Sequence, residues 1–478
     1  MSTTTGSFQQ RSDVAIQDKK LRANFLSAMD GLMEKRDLAF DDKTQLEALR
    51  ILGAQVRQNA LVKLPELLVE LETKLTQRGV QVHWAQTPDE AVDIIQSITL
   101  KEKAQKIIKG KSMVSEEIHL NDKMEQVGVT CLESDLGEYI VQLAKETPSH
   151  IVMPAIHKNT AEIADLLHEK TGIERKEDAL YMTEQARQQL RKNFMEADIG
   201  LSGVNFAVAE TGTLCLVENE GNGRLTTTVP KTHIAIMGIE KVVEKLEDTA
   251  PLLSLLTRSA TGQPITTYFN MISGPRKENE LDGPETVHLV LLDHGRTQMY
   301  QDDELLDTLR CIRCAACMNH CPVYTRIGGH AYGFTYPGPI GKILMPHLEG
   351  LDDTQSLPTA SSLCGACAEV CPVKIPIPDL LVRLREEANH PNPQDSYIKG
   401  AGIKRHGMEP VLWSMWRWWH QRGTRYHIMT SMLTKLHFLQ PSKLAPWTNK
   451  RTLPKMAKKS FHQQMKARTD RLKKGALR

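Results

Sequence analysis

The chain has 478 residues, 40% hydrophobic and only 5% aromatic, enough for roughly two to four domains with at least one sizeable core. Its net charge of +2 conceals an asymmetry: residues 391–478 carry 19 Lys+Arg against 3 Asp+Glu, leaving 41 basic and 55 acidic side chains in residues 1–390. No run approaches the roughly 18 consecutive apolar residues of a membrane span, and MSTTTGSFQQRSD lacks the basic-then-apolar pattern of a secretory signal, so the chain reads as cytoplasmic.

Residues 12 to about 75 alternate charged and apolar positions at helical spacing, as in LRANFLSAMDGLMEKR and KLPELLVELETKL. Pro65 suits the first turn of the second helix, where its missing N–H costs nothing. The stretch reads as a solvated helical arm.

From Gly79 the pattern changes. VQVHWA reads as a strand, and TPDEAVDIIQSITLKEKA as a helix with Thr87 as N-cap and Pro88 at its first position. KIIKG and VGVTCLES read as further strands, SHIVMPAI as a buried one, and EIADLLHEKTG as a helix between them. The alternation continues through FAVAETGTLCLVENEG and THIAIMGIEKVVEKL to HLVLLDHG. It predicts an α/β domain with a largely parallel sheet. Cys131 and Cys215 sit in apolar strand contexts, as buried core thiols do.

A short helix, DDELLDTLRC, leads into a region holding seven of the nine cysteines, and IPDLLVRLREEANH reads as the helix after it. ANHPNPQDS then breaks the composition near Asn389. The expected organisation is therefore a helical N-terminal arm (1–75), an α/β domain (76–298), a cysteine domain (299–390) and a basic, Trp-rich C-terminal region (391–478).

The first cysteine array is Cys311-x2-Cys314-x2-Cys317-x3-Cys321-Pro322. Such spacing lets one loop bring three thiolates to three irons of a cubane, while the proline stops the loop from continuing as a helix. In two-cluster ferredoxins the fourth cysteine ligates the other cluster. The second array is Cys364-x2-Cys367-x3-Cys371-Pro372, with Ser361 where a first cysteine would stand. The crossed rule gives Cys311, Cys314, Cys317 and Cys371 to one cluster, and Cys321, Cys364 and Cys367 to another. The second set is one thiolate short. An alkoxide from Ser361, a water, or a three-iron cluster each satisfies that vacancy. Zinc sites pair two CxxC knuckles and need neither three consecutive two-residue gaps nor Cys-Pro, so two iron–sulfur clusters are expected, [4Fe-4S] for both unless the second is [3Fe-4S]. Between the arrays, GGHAYGFTYPGPIGKIL is either a plain loop or a segment whose glycine N–H groups donate to cluster sulfur.

CIRCAACMNHCPVYTRIGGHAYG, YPGPIG and SSLCGACAEVCPVKIP resemble the lactate-utilisation iron–sulfur protein B family, as do GKSMVSEEI, ESDLGEYI, FMEADIGLSGVNFAVAETGTL, NEGNGR and LTRSATGQ upstream. The resemblance covers roughly residues 10–390, and the tail more loosely. It implies that residues from about 75 to 300 form a LUD domain, similar to the sugar-isomerase and CoA-transferase α/β folds, followed by an α-helical ferredoxin module. It also implies two companion proteins, one catalytic and one LUD-only, in a system oxidising L-lactate to pyruvate. The B member then carries electrons to a downstream acceptor. In that family the second array likewise has three cysteines.

Independently of the resemblance, oxidising a 2-hydroxy acid removes two electrons, usually as a hydride. No hydride-acceptor motif is present: Gly221-Asn222-Gly223 continues as Arg-Leu-Thr, and Gly110-Lys111-Ser112 has Gln105 where a P-loop has its first glycine. Clusters pass single electrons, so relay from a separate catalytic subunit suits the chain better than catalysis of its own. Two rivals remain: an enzyme whose LUD domain itself binds and oxidises the hydroxy acid, and an assembly scaffold with structural clusters. For a small anion the candidate residues are Lys111, Ser112, Glu116, Glu210, Thr211, Gly212, Asn222, Arg224, Lys231 and His233, at strand ends and loops. Ordinary turn chemistry explains the Asn and Gly among them, and a core role explains His233. The tail holds five of the six tryptophans, in VLWSMWRWWH and beyond. It suits docking on a partner subunit, packing on the acidic body, or peripheral contact with the inner membrane face near a quinone-side acceptor. No nucleic-acid motif accompanies the charge.

Overall fold

The structure, a computed structural model, describes residues 6–389, 397–398, 408–443, 448 and 452–475. The composition break expected at 388–396 therefore lies mostly outside the described residues. The chain divides into two compact units, Met1–Gly402 and Ile403–Arg478.

The first unit is built on a parallel sheet. Its strands are β1 (Val80–Ala85), β2 (Lys106–Lys109), β3 (Thr130–Glu133), β4 (Ile199–Gly203), β7 (Thr232–Gly238) and β10 (Thr286–Leu292), in the order β1-β10-β7-β4-β2-β3. Every pairing among them is parallel. Adjacent residues serve opposite faces, as pleating demands: Ile107 packs with Ile199, Ile234 and Val290, while Ile108 packs with Tyr139, Leu167 and Phe194. Both faces are covered, which explains the near-continuous apolar runs of β7 and β10. The helix Pro88–Lys101 is capped by Thr87, whose side chain accepts from the Glu90 N–H.

Expectations from the sequence need correcting at three segments and at the N-terminal arm. FAVAETGTLCLVE forms an antiparallel hairpin, β5 (Phe206–Val208) with β6 (Thr213–Glu218), in a second sheet completed by β8 (Val242–Val243) and β9 (Tyr268–Ile272). The short β5–β6 link admits nothing else, since a parallel crossover needs a dozen residues or more. SHIVMPAI is buried at Ser149, His150 and Ile151 but is not a strand. The segment folds on itself, with the Val152 and Met153 N–H groups donating to His150 Nδ1 at 3.0 and 3.1 Å. DDELLDTLRC yields only a 3-10 helix, Leu305–Arg310.

The N-terminal arm is not solvated. It comprises α1 (Phe8–Gln17), α2 (Lys19–Ala39), α3 (Lys43–Val62) and α4 (Leu64–Gln77), with Pro65 in the first turn of α4. Phe25 is fully buried and meets Tyr324 edge-on at 5.6 Å. Arg57 on α3 is 1% exposed, and its guanidinium donates to carbonyls on both sides of a junction. On the sheet side these are Val242 at 2.9 Å and Glu240; on the cysteine side, Leu309 at 3.0 Å and Arg310 at 3.3 Å. A rigid five-donor fork suits that task and an ammonium does not.

In the second unit, the helix Glu409–His420 exposes Trp413, Trp416 and Trp418, and the Arg425 guanidinium lies 4.0 Å from the centre of the Trp418 ring. No described helix is long and apolar enough to cross a membrane.

Arg57→Met strands these buried carbonyls, each costing about 1–3 kcal/mol unpaired. Chemical denaturation is expected to show a loss of at least about 3 kcal/mol; a loss within error of zero would refute the clamp.

Candidate metal-cluster site and the adjoining cavity

The two cysteine arrays are one backbone pattern repeated fifty residues apart. In the first, Arg313 and Ala315 take left-handed conformations (φ 60° and 69°); in the second, Leu363 and Gly365 do so at the matching places (φ 54° and 85°). Each loop then enters a short helix, Ala316–Asn319 or Ala366–Val370. The Cys321 N–H donates to the Met318 carbonyl at 3.1 Å, and the Cys371 N–H to that of Ala368 at 3.3 Å. Left-handed backbone costs a non-glycine residue roughly 1–2 kcal/mol, and such strain gathers where a loop must wrap a ligand. Successive N–H groups in turns of this kind face inward as an anion-binding concavity.

Sulfur is what they face. The N–H groups of Arg313, Tyr324 and Ile375 donate to the Sγ atoms of Cys311, Cys321 and Cys371 at 3.4, 3.5 and 3.4 Å. Ser361 repeats the Cys311 contact, with its Oγ accepting from the Leu363 N–H at 3.2 Å. The serine thus occupies the place of a first cysteine in conformation as well as in alignment.

Electrostatic neighbourhood sorts the thiols. Burial pushes Cys314 up, followed by the charges of Cys371 and Cys311. It pushes Cys371 up to about 11, with Cys311 adding to the rise. Cys317 is raised by burial and then by Cys314, Cys311 and Cys371, with a smaller effect of Cys367. Cys367 itself is raised to about 11 by burial, Cys321 and Cys364. Cys371 is thus felt by Cys314 and Cys317 and itself feels Cys311, while Cys367 feels Cys321 and Cys364 and is felt by Cys317. Cys321, Cys364, Cys367, Ser361 and Lys342 line one shallow hollow. Among the described residues no three His, Cys, Asp or Glu side chains are close enough to share one metal ion; the ligands of a cluster bind separate irons and stand farther apart. An all-thiol donor set with N–H groups on the sulfurs fits iron–sulfur clusters.

The arm reaches this site. Arg50 on α3 donates to the carbonyls of Cys371 at 3.0 Å and Ala368 at 3.2 Å. The segment between the arrays is no plain loop: the helix Gly338–Glu349 is buried along nearly its whole length. Its contribution to sulfur differs from the glycine N–H groups expected, for none of these reaches a cysteine among the described residues. Lys342, 1% exposed, does so instead, its Nζ lying 3.9 Å from Cys321 Sγ.

A second cavity, of about 290 Å³, lies where the C-terminal ends of β2, β4 and β7 meet the first cysteine loop. Of the anion candidates, Lys111, Ser112 and Asn222 line it. Glu116 pairs with buried Lys109, Glu210 caps the Leu246 N–H, Thr211 bonds Thr213, and Gly212 abuts Lys74. Arg224 and Lys231 are exposed outside the cavity, and His233 is a core residue bonded to Ser202 at 2.8 Å. Sequence reasoning missed Lys241, Arg313 and Tyr336, which share its lining with Cys314. Arg313 was visible within the first array; Lys241 and Tyr336 carry no local signal. Burial and Arg313 pull the Lys241 ammonium down to about 8 against the pull of Glu240. Cys131 and Cys215 lie buried in β3 and β6, their thiols pushed up to about 12, mainly by burial.

The left-handed turn at Ala315 sets a steric test. Ala315→Gly, which copies Gly365, is expected to keep the bound iron, whereas a β-branched Ala315→Val is expected to lose it. Equal iron content in the two variants, measured by colorimetric assay, would mean the turn is not needed.

Residues 68–292 match the LUD domain model, 307–375 the 4Fe-4S dicluster domain, and 383–470 the C-terminal domain of lactate utilisation protein B. Lactate utilization protein B of Bacillus cytotoxicus is 48% identical over 386 residues, 81% of each chain, and that of Bacillus cereus matches equally. A DUF162 family crystal structure from Deinococcus radiodurans aligns with 48% of this chain and 98% of its own, at 13% identity and a TM-score of 0.28. With an iron–sulfur domain joined to a LUD domain and nearly half of its residues shared across four-fifths of the length, the chain belongs to the lactate utilization protein B family.

Proposed function

We propose that the chain is the electron-transfer component of a system that oxidises L-lactate to pyruvate. It takes electrons from a catalytic companion and passes them to a downstream acceptor. Cys311, Cys314, Cys317 and Cys371 would hold one cluster, and Cys321, Cys364 and Cys367, with Ser361 beside them, the other. Such clusters, when bound, supply reversible one-electron transfer. The backbone N–H groups of Arg313, Tyr324 and Ile375 polarise the thiolate sulfurs and hold the loops around them. Arg50 fixes the second loop, and Lys342 brings a buried positive charge to the second thiol group.

The observation that supports this reading is the backbone pattern that the two cysteine segments repeat, with N–H groups turned onto Cys311 and Cys371 and onto Ser361 in the place of a first cysteine. Support for lactate comes from the names of the relatives. A cytoplasmic location, docking of the Trp-rich region on a companion or at the membrane, and domain limits near residues 75, 298 and 390 belong to the same proposal.

Anaerobically prepared protein is expected to contain iron and acid-labile sulfide, and EPR before and after dithionite reduction would tell three-iron from four-iron clusters. Colourless protein holding zinc without sulfide would end the proposal. The purified chain should be silent toward lactate with an artificial acceptor until companions are added. Cys314→Ser and Cys367→Ser should each abolish lactate-dependent electron flow in the reconstituted system; unimpaired flow in folded variants would favour a scaffold.

Lys342 offers a graded test. Removing a buried positive charge disfavours the more negative, reduced state, so Lys342→Met is expected to lower the potential of the second cluster in an EPR-monitored redox titration. An unchanged or raised potential would show that Lys342 does not act on it.

A further inference from the structure

The second thiol group is one ligand short of the first, and the fold holds Ser361 as it holds Cys311. Ser361 stands three residues before Cys364, as Cys311 stands three before Cys314. Two residues after each comes a left-handed residue, Arg313 at φ 60° or Leu363 at φ 54°. That turn aims an N–H back at the side chain: Arg313 donates to Cys311 Sγ at 3.4 Å, and Leu363 to Ser361 Oγ at 3.2 Å. The carbonyl just before each is gripped by a buried cation. Arg57 donates to that of Arg310 at 3.3 Å, and Lys342 to that of Ala360 at 2.5 Å. Arg385 pins the same stretch, donating to the carbonyls of Pro358 at 2.9 Å and Ser361 at 3.0 Å. An ordinary surface turn has no need of three such bonds. The Ser361 side chain also has the right neighbours, for it lines the hollow with Cys321, Cys364 and Cys367. No described group accepts its hydroxyl hydrogen.

We propose that Ser361 is the fourth protein ligand of the second cluster, its Oγ binding as an alkoxide where the first array uses Cys311 Sγ. The proposal deepens the function proposed above and rests on it, because it needs a cluster on Cys321, Cys364 and Cys367. With Ser361 that set mirrors Cys311, Cys314, Cys317 and Cys371 position for position. Ligation forms one oxygen–iron bond, breaks one iron–water bond and releases the hydroxyl proton to solvent; no electron moves. A free serine keeps its proton far above neutral pH, but a metal lowers the cost of ionising the oxygen it binds, as it does for water. A nearby cation helps in the same direction. Lys342 supplies one: it is 1% exposed, and its Nζ joins the Ala360 carbonyl to Cys321 Sγ, 3.9 Å from the sulfur. The choice of oxygen also has a consequence for redox behaviour. Alkoxide is a harder donor than thiolate and favours the more oxidised iron, so the two clusters differ by ligand as well as by surroundings.

The competing account is a plain serine turn, in which Oγ satisfies only the Leu363 N–H and water completes the cluster. EPR spectra and iron analysis of the anaerobically prepared full chain separate the two. An iron held by sulfide and exchangeable water alone is the one that mild oxidation releases. Wild-type protein treated with ferricyanide should therefore keep both four-iron clusters. Ser361→Ala should show a three-iron signal under the same treatment and lose about one iron per chain. Ser361→Cys should resist the oxidant as the wild type does, while its reduced signal changes shape because sulfur has replaced oxygen. Ser362→Ala, which alters the neighbouring serine of the same hollow, should match the wild type throughout. A three-iron signal from the oxidised wild type, an alanine variant as resistant as the wild type, or a cysteine variant with an unaltered reduced spectrum would overturn the ligand. Should Ser361→Ala lose both clusters, the cysteine variant decides alone. Any of these failures in a chain that holds iron and sulfide leaves the proposed function standing, whereas a wild-type chain without them sinks both.

Discussion

Glu240, just past the end of β7, ties the parallel sheet to the cysteine loops. Its carboxylate holds Arg296 at 2.6 Å and Arg313 at 3.4 Å, and its backbone carbonyl accepts from Arg57. Burial alone would raise this carboxyl, but the charges of Arg296, Lys241 and Arg313 outweigh it and hold it down at about 2. The pairing needs close quarters: a Cβ at Gly238 would stand 2.1 Å from Glu240 Oε2 and 2.2 Å from Arg296 Nε. One residue thus fixes three cations contributed by the arm, the last strand's exit and the first cysteine array. Glu117 completes the junction, bonding Arg296, His294 and the Tyr336 hydroxyl.

That arrangement explains why so many cations lie buried beside cysteines. Arg36, Arg57, Lys241, Arg313 and Lys342 are all at least nine-tenths buried or nearly so. Burial of this kind is expensive unless negative charge meets it, and each of these cations feels the charge of a cysteine in the two arrays. The arm is the structural counterpart of that requirement. A solvated helix would have left Arg50 and Arg57 in water; packed against the loops, they donate to backbone carbonyls whose dipoles further compensate the charge.

Much of the fold was legible beforehand. Five strands of the parallel sheet (β1, β2, β3, β7 and β10), the Thr87 cap, the post-cysteine helix and both core thiols follow from local pattern, because pleating and capping are set by neighbours in sequence. The errors at SHIVMPAI and the arm both come from contacts made far along the chain. SHIVMPAI is apolar because it is buried under the Gly328–Tyr332 turn, where Tyr324 and Gly329 donate to Ser149, and burial does not distinguish a strand from a folded loop. The charged arm looked solvated because its buried face is narrow and its cations bond carbonyls far along the chain.

Local sequence determined the donor chemistry: seven thiols, their spacing, the proline stops and the strand pattern of the α/β domain. All of these depend on residues within a few positions of one another. Which cations face the thiols, and the cavity that Cys314 helps to line, were decided by the tertiary structure alone. These contacts join residues up to several hundred positions apart, and charge and burial between such residues exist only once the sheet, arm and loops have packed.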